Sequence, residues 1–201
     1  MTNGNSNNQN NSNTPPPEGI VPTGGKRSYD RTSYILVVDD DNTLLKFFKI
    51  HLNKFFSRVI VVKNAKEAID TLREKEIDLV LSDIRMPRMD GIQLMKRVRK
   101  HDPSIPMLLI SGALLDEDQL KAADEDADGY LRKPFTVDDL HAFIDQGMQL
   151  REKYRKLSEM LPEKKMIRDV LRGKAKIEKL VTDKDQQQAA NSILEDIRKA
   201  G

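Results

Sequence analysis

Cysteine is absent from this chain of 201 residues. Without thiols there are no disulfides and no thiolate metal sites, and the composition suits a reducing compartment, the cytoplasm. Long apolar runs are missing as well: none approaches the roughly 20 residues of a bilayer span, so no membrane partner is expected. The start, Met1 to Asn13, is crowded with asparagine and has neither a basic beginning nor an apolar middle, which excludes a secretory signal. Histidine is scarce, and His51, His101 and His141 show no metal-ligand spacing. None of the three reads as a phosphodonor.

The length allows one domain with a good core plus appendages. Acids and bases nearly cancel to a formal charge of +2, but they are unevenly placed. Asp116, Glu117, Asp118, Asp124, Glu125, Asp126 and Asp128 form an acidic stretch opposed only by Lys121. Lys164, Lys165, Arg168, Arg172, Lys174, Lys176 and Lys179 form a basic one opposed by Asp169 and Glu178. Such stretches are more often solvated faces than partners; their opposite signs still allow the basic tail to dock on the acidic face.

Residues 1–32 are rich in Asn, Pro, Gly and Ser and bury too little to offset the entropy of ordering, so they read as a disordered leader. From Tyr34 the texture becomes a βα rhythm. Strands are expected near 34–38, 57–62, 78–82, 106–110 and 128–131, with helices over 42–55, 65–75, 91–100 and 115–124 and another from Thr136. Five such repeats predict a single parallel sheet covered by helices on both faces, whose ligands bind at the carboxyl ends of the strands. Past Val137, the residues Leu140, Phe143, Gly147, Leu150, Tyr154, Leu157 and Leu161 recur at spacings of three and four. The first turns of this helix cover the sheet. The later ones need a partner, either a second copy in a coiled coil or the helices that follow Pro162. Residues 151–201 thus read as a helical, partly basic extension of a domain spanning 33–150.

Asp39, Asp40, Asp83, Ser111 and Lys133 all fall at or just after expected strand ends. Clustered carboxylates stay ionised together only beside a cation, and oxygen ligands without His or Cys favour Mg2+. With an ammonium nearby, such a cluster can hold a phosphoryl group for in-line transfer to a carboxylate. Asp41 reads instead as an N-cap of the first helix or a surface acid.

The segments Val37-Val38-Asp39-Asp40-Asp41, Leu81-Ser82-Asp83-Ile84-Arg85-Met86-Pro87-Arg88-Met89-Asp90-Gly91, Ile110-Ser111-Gly112 and Tyr130-Leu131-Arg132-Lys133-Pro134-Phe135 strongly resemble the receiver domain of two-component response regulators. The resemblance covers about residues 33 to 150. It implies a flavodoxin-like, doubly wound five-stranded α/β fold. It also implies that Asp83 is the phosphoacceptor, that Asp39 and Asp40 hold Mg2+ with Asp83 and the backbone carbonyl of Arg85, and that Lys133 pairs with the phosphoryl group. Ser111 corresponds to the switch hydroxyl, Tyr130 to the switch aromatic, and the Lys133–Pro134 bond is expected to be cis. The implied partners are a sensor histidine kinase or phosphotransfer protein and a downstream protein. Homodimerisation through the helix from Thr136 is a further expectation. The chain is then not an enzyme beyond its own phosphorylation and dephosphorylation. The competing function is a nucleic-acid-binding regulator that uses the basic segment as an arm. Against it, no aromatics interleave with the basic residues. A third reading is a scaffold that no longer takes phosphate, and the intact acids and Lys133 argue against that loss.

Overall fold

The computed structural model describes residues 33–112, Gln119, Lys121, Ala123 and 126–200. The expected leader, 1–32, and most of the expected fourth helix lie outside the described residues. Five strands, β1 (Tyr34–Val38), β2 (Arg58–Val62), β3 (Leu79–Asp83), β4 (Met107–Ser111) and β5 (Gly129–Arg132), form one sheet in the order β2-β1-β3-β4-β5. Every pairing is parallel. Strands 1 and 3 are neighbours although β2 intervenes in sequence, so the crossover direction reverses there. That reversal opens a crevice between the carboxyl ends of β1 and β3.

Alternation within each strand divides the core into two layers. Leu36, Val38, Val80 and Leu109 pack on one face with α2 (Ala65–Glu74) and α3 (Gly91–His101). Ile35, Val37, Leu79, Leu81 and Leu108 pack on the other with α1 (Asn42–Leu52) and the first half of α4 (Val137–Met160). Local chemistry starts the helices where the core needs them. Asp41 caps α1, its Oδ1 accepting from the Thr43 amide at 2.7 Å; Asn64 caps α2 and Asp90 caps α3. Thr136 and Asp139 form a reciprocal capping box on α4.

Three strands begin and end one residue later than expected, β3 running to Asp83, β4 to Ser111 and β5 to Arg132. Their polar last residues look like loop in a hydropathy pattern. The ladder nevertheless continues through them, with Asp83 opposite Ile110 and Ser111 opposite Arg132. Helix α1 stops at Leu52 rather than at residue 55, because the amides of Phe55 and Phe56 both turn back to the Leu52 carbonyl.

Gly147 lies on the seam of α4 at the closest approach of helix to sheet. A Cβ there would stand 2.4 Å from Leu79 Cδ1 and 2.8 Å from Leu108 Cδ1. Beyond it the helix leaves the sheet. Leu150, Tyr154, Leu157 and Leu161 are covered by α5 (Met166–Leu171), α6 (Ile177–Leu180) and α7 (Lys184–Ala200), in a third core with Ile167, Val170, Ile177, Val181, Ala190 and Leu194. The second half of the seam is therefore covered by the helices that follow Pro162, one of the two partners that the spacing allowed. Among the described residues, no helix is long and apolar enough to cross a membrane.

Candidate functional site

The carboxyl ends of β1, β3 and β5 bring two carboxylates and one ammonium together. Asp39 follows β1 directly and Asp83 ends β3; their residues are 2% and 7% exposed, so water screens them little. Lys133 follows β5, and its Nζ donates to Asp83 Oδ1 at 2.6 Å and to Asp39 Oδ2 at 3.2 Å. Each carboxylate spends its other oxygen on backbone. Asp39 Oδ1 accepts from the Asp41 amide at 2.8 Å, and Asp83 Oδ2 from the Arg85 amide at 2.7 Å. The carboxylates are thus fixed in direction, with Lys133 as their shared counter-charge.

Burial pushes the Asp39 pKa up and the adjacent Asp83 charge adds to it; the Asp41 amide and Lys133 only partly offset this. For Lys133 burial acts downward, but the hydrogen bond and charge of Asp83, with those of Asp39, prevail and raise its pKa. The ammonium stays charged because the acids hold it so.

The loops keep this geometry tight. The Gly91 amide donates to the Ile84 carbonyl at 2.8 Å, and a Cβ on Gly91 would lie 2.3 Å from the Asp83 backbone oxygen. Only glycine lets α3 start that close to the strand end. Arg88, in the same loop, takes a positive φ of 71°. The Lys133 amide continues the β4–β5 ladder by donating to the Ser111 carbonyl at 2.8 Å, which places buried Ser111 beside the lysine. The Lys133–Pro134 bond is cis. Phe135 then stacks on Phe48 of α1, with centroids 6.1 Å apart.

The remaining sequence-derived candidates lie around this centre. Asp40 is exposed beside Asp39, Arg85 contributes its backbone to the loop while its residue is exposed, and Tyr130 is 42% exposed on β5. Among the described residues, no three acidic or histidine side chains converge as a ready-made metal cage. The side-chain donors gathered here are two buried carboxylates, Asp39 and Asp83. This fits a hard cation that keeps part of its water shell, not one that needs a full protein cage.

A second charged centre escaped the sequence reading. Asp128, placed there in a solvated acidic stretch, has a side chain only 2% exposed. Its Oδ1 accepts from Tyr154 Oη at 2.6 Å and Arg168 Nη1 at 2.8 Å. Its Oδ2 accepts from Arg99 Nη2 at 2.6 Å, Arg168 Nη2 at 3.1 Å and the Met107 amide at 2.7 Å. Burial pushes this carboxyl up, but the Arg99 and Arg168 charges and their hydrogen bonds outweigh it and hold the pKa far below the usual range. Arg168 also donates to the Pro103 carbonyl at 2.8 Å, and Arg172 pairs with Asp126. Two members of the basic stretch are therefore spent on seating the extension. Local sequence carries no signal for this, since Asp128 and Arg168 lie 40 residues apart.

The reversal between β1 and β3, with Lys133 across Asp39 and Asp83, is matched by sequence: residues 35–145 fit the response regulator receiver domain family. The chain belongs to that family. Transcriptional regulatory protein ZraR of Klebsiella oxytoca is 36% identical over 114 residues, 57% of this chain and 26% of that protein. Transcription factor SKN7 of Candida albicans is 34% identical over 115 residues, 57% of this chain and 21% of that protein. The receiver chain thus spans about a quarter or less of these curated relatives. Among solved structures, the signal receiver domain of an HD domain-containing protein from Pseudomonas fluorescens Pf-5 superposes with a TM-score of 0.59 at 26% identity, covering 64% of this chain and 96% of that one. A CheY-like receiver domain protein from Methanospirillum hungatei JF-1 gives 0.57 at 27% identity, covering 61% and 98%. The α5–α7 segment lies beyond the matched residues.

Proposed function

We propose that this protein is the phosphoacceptor of a two-component relay, with Asp83 as the acceptor. The observation that carries the reading is the Lys133 ammonium 2.6 Å from Asp83 and 3.2 Å from Asp39, at the carboxyl edge of the sheet. A carboxylate oxygen of Asp83 forms the new O–P bond. The donor's bond to phosphorus breaks, and the leaving group keeps the electron pair. Asp39 and Asp83, with Asp40 and the Arg85 carbonyl, are the ligands we assign to Mg2+, which supplies positive charge to the phosphoryl oxygens. Lys133 supplies the second cationic contact to them.

Ser111 and Tyr130 are assigned as the switch pair, the hydroxyl answering the phosphoryl oxygens and the ring moving inward from its exposed position. The donor is a sensor histidine kinase or phosphotransfer protein, and the output goes to a downstream protein. The domain division is 33–150 for the receiver and 151–201 for the extension, and the setting is the cytoplasm of a bacterium. No enzymatic output is assigned. The pairing of Arg168 with Asp128 and of Arg172 with Asp126 takes two cations of the basic segment away from a nucleic acid, which supports a protein output.

The test is incubation with Mg2+ and acetyl phosphate followed by intact mass. One phosphoryl group should be gained by the native chain and none by Asp83→Asn. An unchanged native mass, or equal gain in the variant, would overturn the assignment.

A further inference from the structure

The phosphoryl chemistry uses only the carboxyl edge of the sheet. At the opposite edge, where β3 and β4 begin, the ends of α2 and α3 face the middle of α4 and the link to α5 across a cleft of about 670 Å³. One wall belongs to the receiver and carries Arg73, Lys75, Lys100 and His101. The other belongs to the extension and carries Lys164 and Lys165. All six are exposed. Helix ends account for part of this, since Arg73 lies in the last turn of α2 and Lys100 and His101 in that of α3, where the macrodipole favours cations. Lys75, the C-cap of α2, shares that explanation, but the two link lysines do not.

The acids nearby do not use up this charge. Arg73 pairs with Asp70 at 3.3 Å and Lys165 with Glu163 at 2.5 Å, solvated pairs that a partner's carboxylate can replace, while exposed Lys164 stands 3.7 Å from the partly buried Asp102. Among the described residues, Lys75 and Lys100 have no carboxylate at ion-pair distance. The cleft therefore holds cations in excess, on walls that come from two different parts of the chain.

The chemistry of the lining chooses among anions. Glu74, Glu76 and Asp102 stand between the cations, and they would oppose a uniformly charged phosphate backbone. No Phe, Tyr or Trp lines the cleft to stack a base. A polypeptide can alternate its charges to suit such a surface, and lysines on flexible stems accept carboxylates at irregular spacing. We propose that this composite cleft docks an acidic segment of a partner protein. The cleft exists only while the extension is seated, and the grip of Arg168 on Asp128 and of Arg151 on the Ser104 carbonyl at 3.1 Å seats it. The site thus requires the docked extension and not the phosphorylation of Asp83.

Fluorescence anisotropy on the unphosphorylated full chain tests this, with a fluorescein-labelled peptide of alternating Glu and Gly and, in parallel, a single-stranded oligodeoxynucleotide of equal charge. Saturable peptide binding is expected, weakening as salt rises. Lys75→Glu with Lys100→Glu should weaken it roughly tenfold, as should Lys164→Glu with Lys165→Glu on the opposite wall. Lys49→Glu on α1, outside the cleft, should leave it unchanged. Thermal melts check that each variant is folded. No saturable binding, equal loss with Lys49→Glu, or tighter binding of the oligodeoxynucleotide would overturn the proposal. Because no phosphodonor is present, these outcomes are separate from failure of Asp83 to accept phosphate.

Discussion

Arg168, on the short helix α5, holds Asp128 in a two-pronged ion pair, Nη1 to Oδ1 at 2.8 Å and Nη2 to Oδ2 at 3.1 Å. Asp128 is the residue before β5, the strand that carries Tyr130 and leads into Lys133. The extension is thereby tied to the strand that feeds the phosphoryl site, through a carboxylate that also satisfies Arg99 and Tyr154. Asp128→Asn leaves two guanidinium groups without their shared anion in a place water hardly reaches. A loss of about 3–5 kcal/mol is expected, read from urea unfolding. Tyr154→Phe removes one donor to the same charge and should cost about 2 kcal/mol.

Much of this fold can be read from local pattern because its determinants are local. Asp41 precedes an amphipathic run and caps it. The apolar runs at Tyr34–Val38 and Leu79–Asp83 become buried strands, and Asp83 and Lys133 reach one edge because parallel strands put all their carboxyl ends there. The Asp128 cluster is different in kind. Its members come from α3, α4, α5 and the entry to β5, and the start of a strand at Asp128 gives no sign of the two guanidinium groups that meet it. Gly147 looks like a flaw in a heptad seam; in three dimensions it is where the helix touches Leu79 and Leu108. Close approach between distant segments leaves no periodicity to detect.

Acid should separate the two carboxylate centres. The folded pKa of Asp128 lies below the ordinary carboxyl value of 3.8, so the stability it contributes is complete above that value and is lost only as pH falls through the lower folded value. Asp39 has the opposite sign. Its folded pKa is raised above 3.8, so the native state binds the proton more tightly, and stability declines as pH climbs from the unfolded value through the folded one. Asp39→Asn should therefore raise stability at neutral pH by roughly 1 kcal/mol, the usual sign for relieving a destabilised functional site. The gain should vanish below the ordinary carboxylate range. Urea midpoints of native chain and variant at the two pH values check both statements.

Lys133 is expected to matter for phosphoryl transfer and for tolerance of the paired acids. Lys133→Met leaves Asp39 and Asp83 facing each other without their common cation. Its rate of mass gain from acetyl phosphate should fall about a hundredfold, the scale seen when one preorganised charge contact is removed. The native Lys133 pairing is complete below the unfolded lysine value of 10.5 and should be lost only as pH rises through the higher folded value. A lysine-dependent loss of stability as pH rises from neutrality to 10.5 would contradict this.

Two glycines give a contrast between fold and function. A Cβ on Gly91 would meet the Asp83 backbone oxygen at 2.3 Å and Ile84 Cα at 2.9 Å, and neither atom can rotate away. On Gly147 it would meet the ends of the Leu79 and Leu108 side chains, which can shift at some cost. Alanine at Gly147 also recovers up to about 1 kcal/mol of helix propensity. Gly91→Ala should therefore lose about 1–3 kcal/mol and displace the strand end that presents Asp83, slowing phosphoryl gain as well. Gly147→Ala should lose less stability and leave the rate of phosphoryl gain unchanged. Urea midpoints together with time courses of intact mass decide the matter: equal rates in the two variants would mean that the contact at Gly91 does not position the acceptor.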